Sequence, residues 1–185
     1  MIRQARAEDV PQLAITLAEA FSGDPVWDWL LPAFERKRRL FAVLLRHAVP
    51  LGHVYTVQGL QAVTIWSAPH EWKLPASAML RQALPMVHAA GLALPRLLAR
   101  LGEIEKLHSQ VPQNHWYLDF IGTSNKSRGE GLGSLLLEDG LKHGLPVYLE
   151  SSNPRNLSFY KRHGFQVTAQ RQMRSGPPQW TLWRD

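Results

Sequence analysis

The run Arg128-Gly129-Glu130-Gly131-Leu132-Gly133-Ser134 places three alternating glycines at the mouth of a helical pattern. Positions without side chains leave successive backbone N–H groups open, and a helix start adds roughly half a positive charge, so an anion is the natural guest. Lys126 and Arg128 strengthen the attraction. A P-loop does not fit, because Gly133 is followed by Ser134 with no lysine between them. A dinucleotide fingerprint fits poorly. The glycines are spaced G-x-G-x-G, residues 124–128 separate them from the preceding strand, and only 35 residues follow Glu150.

The elements that must position this turn can be read on either side of it. A strand is expected over residues 115–123, a helix over 131–143, a strand over 146–150 and a helix over 155–163. Two more strands are expected at 165–170 and 179–183. Strand, glycine turn, helix and strand make a βαβ unit, so part of the sheet is parallel. Upstream, a strand at 2–5 leads to a helix whose Val10, Leu13, Leu17 and Phe21 repeat at helical spacing, with Asp9 and Gln12 as its capping pair. Residues 24–32 read as a loop holding two tryptophans, followed by a helix over 33–49 with Phe34, Phe41, Leu45 and Ala48 on one side. Residues 53–57 and 60–66 read as a hairpin about Gln58-Gly59. Leu-Pro pairs at 74–75, 84–85 and 94–95 suggest three short helices, each opened by a proline. The apolar window 83–101 holds two prolines, His88, Arg96 and Arg100, which argues against a membrane span. The fold class is α/β, with helices on both faces of a mixed sheet.

Composition narrows the classes further. A chain of 185 residues with 45% hydrophobic and 19% charged residues is expected to form one domain over 1–185, with a helical insertion at about 70–112. The absence of cysteine excludes a disulfide framework, a cysteine nucleophile and a thiolate zinc site, and suits a reducing, cytoplasmic setting. Residues 1–10 carry charge where a signal peptide would be apolar. The net charge of +6 is largely arginine, 15 of the 21 basic residues, which suits phosphate. The dense run Arg36-Lys37-Arg38-Arg39 reads as a solvated helix face, and no nucleic-acid motif accompanies it. Eight histidines form no i,i+4 pair, so no metal site is expected; His115 remains an accessory-base candidate.

Arg128-x-x-Gly131-x-Gly133 resembles the pyrophosphate-binding turn of the GCN5-related N-acetyltransferase (GNAT) superfamily. Downstream, Asn156, Tyr160 and Gly164-Phe165 resemble its second signature, Asn-x-x-x-Tyr-x-x-x-Gly-Phe. Residues 115–118, 131–134, 148–152 and 154–157 look most like the branch containing puromycin N-acetyltransferase. The likeness covers about 115–185 and thins toward Ala20-Phe21 and Asp24-Pro25. Two departures are Asn125 where the family commonly has proline, and Asp119 where small or apolar residues are usual.

The resemblance implies a mixed, largely antiparallel sheet of six to seven strands with a central parallel pair. It also implies acetyl-CoA as acyl donor, with no metal, and direct attack by a small primary amine on the thioester. The alternatives are a CoA-binding sensor without turnover, or a protein lysine or N-terminal acetyltransferase. No nucleic acid or membrane partner is implied, and the chain would act as a monomer or homodimer. Cofactor contacts carry over to Phe120, Ile121, Gly122 and Thr123 on the central strand, to Arg128, Gly129, Glu130, Gly131, Leu132, Gly133 and Ser134 in the turn, and to Asn156 and Tyr160. An amine of pKa about 10.4 costs about 4.6 kcal/mol to deprotonate at pH 7, and a carboxylate acting directly or through water would assist. Asp119 and Glu150, on adjacent parallel strands, are the candidates, and strand alternation puts Asp119 on the face of Ile121. Tyr160 is the candidate proton donor to the thiolate, with its pKa lowered by nearby basic residues or acting as a hydrogen-bond donor. Trp27, Asp28 and Trp29 would border the acceptor pocket.

Overall fold

The computed structural model describes residues 1–73, 76–174 and 176–185, without the side chains of 76–79. Among these residues seven strands form one sheet: β1 (Ile2–Gln4), β2 (Val54–Val57), β3 (Ala62–Ser67), β4 (Trp116–Thr123), β5 (Val147–Ser151), β6 (Gln166–Arg171) and β7 (Gln179–Arg184). Their order is β1-β2-β3-β4-β5-β7-β6, and every neighbouring pair is antiparallel except the parallel pair β4–β5. The helices are α1 (Val10–Ala20), α2 (Pro25–Leu30), α3 (Phe34–Ala48), α4 (Ala76–Ala90), α5 (Leu94–His108), α6 (Leu132–Gly140) and α7 (Leu157–Arg162).

Two apolar layers sandwich the sheet. On one face Leu13, Ala14 and Leu17 of α1 and Phe41 and Leu45 of α3 pack on Val63 and Ile65. On the other, Leu137 of α6 and Tyr160 of α7 meet Leu118, Val147, Leu149 and Leu182. A further cluster joins α2, α3, α4 and α5 through Val26, Leu30, Leu40, Ala89, Ala90 and Leu97. The packing of α6 depends on Gly140, where an added Cβ would lie 2.2 Å from Trp66 Cζ2, and that indole is buried. Gly140→Ala is therefore expected to cost about 2 kcal/mol through overpacking, read as a lower urea midpoint at unchanged slope.

Several local expectations are corrected. Residues 25–30 are helical because Asp24 accepts hydrogen bonds from the Val26 and Trp27 amides and Pro25 occupies the first turn, a start signal masked by the tryptophans. Asp9 does not cap α1; its carboxylate takes the Arg6 amide and the Arg3 guanidinium instead. The hairpin closes through residues 58–61, with Gly59 and Leu60 both left-handed. Pro85 lies inside α4 rather than opening a helix, and Pro95 does open α5; the Leu-Pro pair at 74–75 lies outside the described residues. Lys37 leaves the solvated run: it is 2% exposed and bonds to Asp28, so only its neighbours face water. No helix among the described residues is long and apolar enough to cross a membrane.

Candidate active site

The cleft begins where the parallel ladder stops. The pairings Trp116↔Val147 and Tyr117↔Tyr148 join β4 to β5, and beyond them β4 runs on to Thr123 and β5 to Ser151 without further pairing. Adjacent strand edges that separate leave backbone groups facing a gap. A bulge contributes to the divergence: Ile65↔Phe120 and Trp66↔Leu118 are consecutive pairings, so Asp119 is the extra residue on β4.

The bulge overturns the expected alternation. Phe120 packs with the α1–α3 core, and a Cβ on Gly122 would meet Ala20 and Leu17 of α1. Ile121 turns the other way, toward the cluster around Leu118 and Leu137. Asp119 is not on the face of Ile121; its Oδ2 accepts from the Ser67 hydroxyl at 2.7 Å. On β5, Glu150 accepts from the Tyr117 hydroxyl at 2.6 Å through Oε2, while its Oε1 is buried with no hydrogen-bond partner among the described residues. Burial pushes both carboxyls up to about 7; the Ser67 bond opposes this at Asp119, the Tyr117 and Tyr148 hydroxyls and the Arg100 charge oppose it at Glu150, and the charge of Glu150 raises Asp119 further. A carboxyl that titrates near 7 can take up or release a proton at neutral pH. Neither Tyr117 nor Ser67 was singled out in the sequence, because only the register of three strands brings them to the acids.

The glycine turn has the expected form. Gly129 and Gly131 are left-handed, at φ +88° and +79°, and a Cβ at either would meet open space. Gly131 caps α6, whose first amides have no partner within the helix. Thr123 and Phe159 line the base of the turn beneath Gly133. Arg128 does not stand free beside it: its guanidinium bonds to the carbonyls of Glu19 and Ala20, tying the loop to the end of α1.

Tyr160 lies on the α6–α7 side, opposite Glu150, with its ring in the cluster of Leu149 and Leu182. Its hydroxyl makes no hydrogen bond among the described residues, and burial with the negative charge of Asp24 pushes its pKa up, not down as the basic neighbours suggested. Asn156, one turn earlier, is exposed at the start of α7. Asp24 is buried, caps α2 and accepts from Ser152, the residue two past Glu150. Trp27 joins a four-ring cluster with Phe21, Phe41 and Phe120, stacked on Phe41 at 4.4 Å. Asp28 bonds to Lys37 and the Gly23 amide, and Trp29 lies under Arg96 against Gly176.

His115 is not a free base. Its Nδ1 faces the Pro112 carbonyl, its Nε2 lies 2.8 Å from His108 Nε2, and both rings are buried. Burial and the neighbouring His115 hold His108 down at about 3, with Trp72 stacked on it at 3.8 Å. The hydrogen bonds require His115 Nδ1 to carry a proton and His108 Nε2 to donate, which leaves His108 Nδ1 without a partner. Among the described residues no group of three or more His, Asp or Glu side chains could hold a metal ion.

A seven-stranded mixed sheet, opened beside its single parallel pair and flanked by a glycine-capped helix, defines the GNAT fold. Residues 88–165 match the model of the acetyltransferase (GNAT) family, a similarity that, with the fold, indicates an acyltransferase. An uncharacterized N-acetyltransferase of Schizosaccharomyces pombe is 25% identical over 183 residues, covering 88% of this chain and 73% of that one. A solved Corynebacterium glutamicum structure, described as histone acetyltransferase HPA2 and related acetyltransferase, superposes at TM-score 0.70 with 22% identity, covering 100% and 94% of the two chains. A Drosophila melanogaster polyamine N-acetyltransferase, described as catalysing formation of N-acetylagmatine, superposes at 0.65 with 17% identity, covering 99% and 98%.

Proposed function

We propose that the chain transfers an acetyl group from acetyl-CoA to the primary amine of a small molecule, and that residues 1–185 act as one domain with 70–112 over the acceptor side. The observation that carries this reading is the gap between β4 and β5, with Tyr160 on one side and Glu150 and Asp119 on the other. Donor and acceptor can then enter from opposite faces and meet in the opening.

The turn fits a pyrophosphate, because two left-handed glycines leave the start of α6 uncovered. The amides of Gly129 to Ser134 would hold it, with Lys126 nearby. The strand edge from Phe120 to Thr123 would pair with the pantetheine arm and polarise the carbonyl. Asn156 would hold the amides of the arm. Bound acetyl-CoA supplies the activated acetyl group. Glu150 takes the ammonium proton, with Asp119 as the second carboxyl of the cleft. Nitrogen bonds to the carbonyl carbon, the carbon–sulfur bond breaks, and the proton the nitrogen then sheds balances the one the sulfur gains, with Tyr160 hydrogen-bonding the departing sulfur or relaying that proton. Similarity to polyamine and agmatine acetyltransferase structures supports a small amine as acceptor.

Free thiol release from acetyl-CoA across a panel of primary amines tests the reading; acetyl-CoA binding without turnover of any amine would favour a sensor, and turnover of lysine peptides alone a protein acetyltransferase. Gly131→Val adds a branched side chain where φ is +79° and closes the mouth of α6. It is expected to weaken acetyl-CoA binding at least about tenfold by calorimetry, with far-UV circular dichroism unchanged.

A further inference from the structure

Arg100 of α5 is 2% exposed, and no carboxylate among the described residues forms an ion pair with it. Its Nη2 bonds to Gln179 Oε1 at 2.5 Å and its Nη1 to the Pro177 carbonyl at 3.0 Å, both neutral acceptors, and its Nε is buried without a partner. A buried guanidinium with no carboxylate in contact is costly, because direct pairing does not offset its desolvation. The acids that act on it through space, Glu103, Asp24 and Glu150, are otherwise engaged. Glu103 accepts from the Arg174 amide, and Asp24 caps α2 and takes Ser152. Glu150 takes Tyr117 on one oxygen.

The place of Arg100 is set by strand register. Ser151 pairs with Trp180, so Gln179 stands opposite residue 152, one side-chain row beyond Glu150 on the same face. Register thus brings Gln179, which holds Arg100, one row beyond Glu150 toward the open end of β5, and the charges of Arg100 and Glu150 act on each other through space. A molecule with an ammonium at one end and a carboxylate a few bonds away carries the two charges that match such an acceptor and donor. We infer that the acceptor is an amino acid-like amine, its nitrogen at Glu150 and its carboxylate on the unpaired guanidinium edge of Arg100. This rests on the acetyl-transfer reading above and names its substrate class. The helical insertion thereby acquires a purpose, since α5 brings a buried guanidinium to the Gln179 end of β7.

Matched pairs differing only in the carboxylate test the inference: arginine against agmatine, tyrosine against tyramine, and 4-aminobutyrate against butylamine. For the pair that turns over fastest, the carboxylated member is expected to have at least about tenfold higher kcat/KM, and Arg100→Met to bring the ratio close to one. Arg100→Lys, which keeps the charge but loses the planar fork, should retain part of the preference. Equal or better turnover of the bare amines overturns the inference and leaves acetyl transfer standing. A ratio unmoved by Arg100→Met also overturns it. If none of the amines releases thiol, the acetyl-transfer reading fails and the inference falls with it. Should Arg100→Met not fold, the wild-type ratio alone decides.

Discussion

Glu150→Gln is expected to lower turnover by about 10²- to 10³-fold while leaving acetyl-CoA affinity within about threefold, because the proposed general base is lost and the proposed cofactor cradle is untouched. In the wild type, kcat/KM rises through pH about 7, where burial has carried this carboxyl, and the variant loses that limb. The same residue sets a stability signature of opposite sense. An ordinary glutamate ionises near 4.5; Glu150 in the native chain resists until about 7, so between those values the native state binds the extra proton. Stability therefore falls as pH rises through that window, and the deficit, roughly 3 kcal/mol, is complete above it. Glutamine has no such deficit. Glu150→Gln is expected to be slower and, above neutrality, more stable than the wild type, with the stability difference gone below about pH 4. Urea unfolding of both proteins on either side of the window, together with the pH–rate profile, checks both halves. A variant destabilised at every pH, or one that keeps the rising limb, removes Glu150 as the base.

What could be read in the sequence follows from how local each signal is. The glycine turn was legible because amide exposure at a helix start requires residues without side chains, and Gly129 and Gly131 take the left-handed conformations that glycine permits. The parallel pair was legible from the strand–turn–helix–strand pattern, and the seven-stranded sheet follows the expected class. Glu150 and Asp119 could be picked out as acids on strands, but not their surroundings. The face that Asp119 presents depends on a bulge, and a bulge exists only in the pairing with β3, where Asp119 is the residue left without a partner. Lys37 and Arg100 were hidden for a related reason. Each sits in a helical segment where a basic residue ordinarily faces water, and only the docking of other elements buries it. Asp24-Pro25 carried a clear start signal that the neighbouring tryptophans obscured. Local backbone chemistry was visible; long-range register was not.

Tyr160→Phe is expected to reduce turnover by about 10- to 100-fold with acetyl-CoA binding nearly unchanged. Burial and the negative charge of Asp24 hold this phenol above its ordinary pKa, so it remains protonated wherever the enzyme works. Full transfer of its proton to a thiolate of ordinary pKa about 8.5 is uphill by at least about 1.5 pKa units, or about 2 kcal/mol. In the proposed mechanism the hydroxyl is therefore expected to act chiefly by hydrogen-bonding sulfur as charge develops there, an interaction stronger in the transition state than in the ground state. The phenyl ring keeps the packing against Leu149 and Leu182, so a folding defect does not confuse the result. A leaving-group comparison isolates the role. With 4-nitrophenyl acetate as donor, whose leaving group is a weaker base than a thiolate, the handicap of Tyr160→Phe should shrink toward none. If the variant is slowed equally with both donors, the tyrosine shapes the cleft and plays no part in the departure of sulfur.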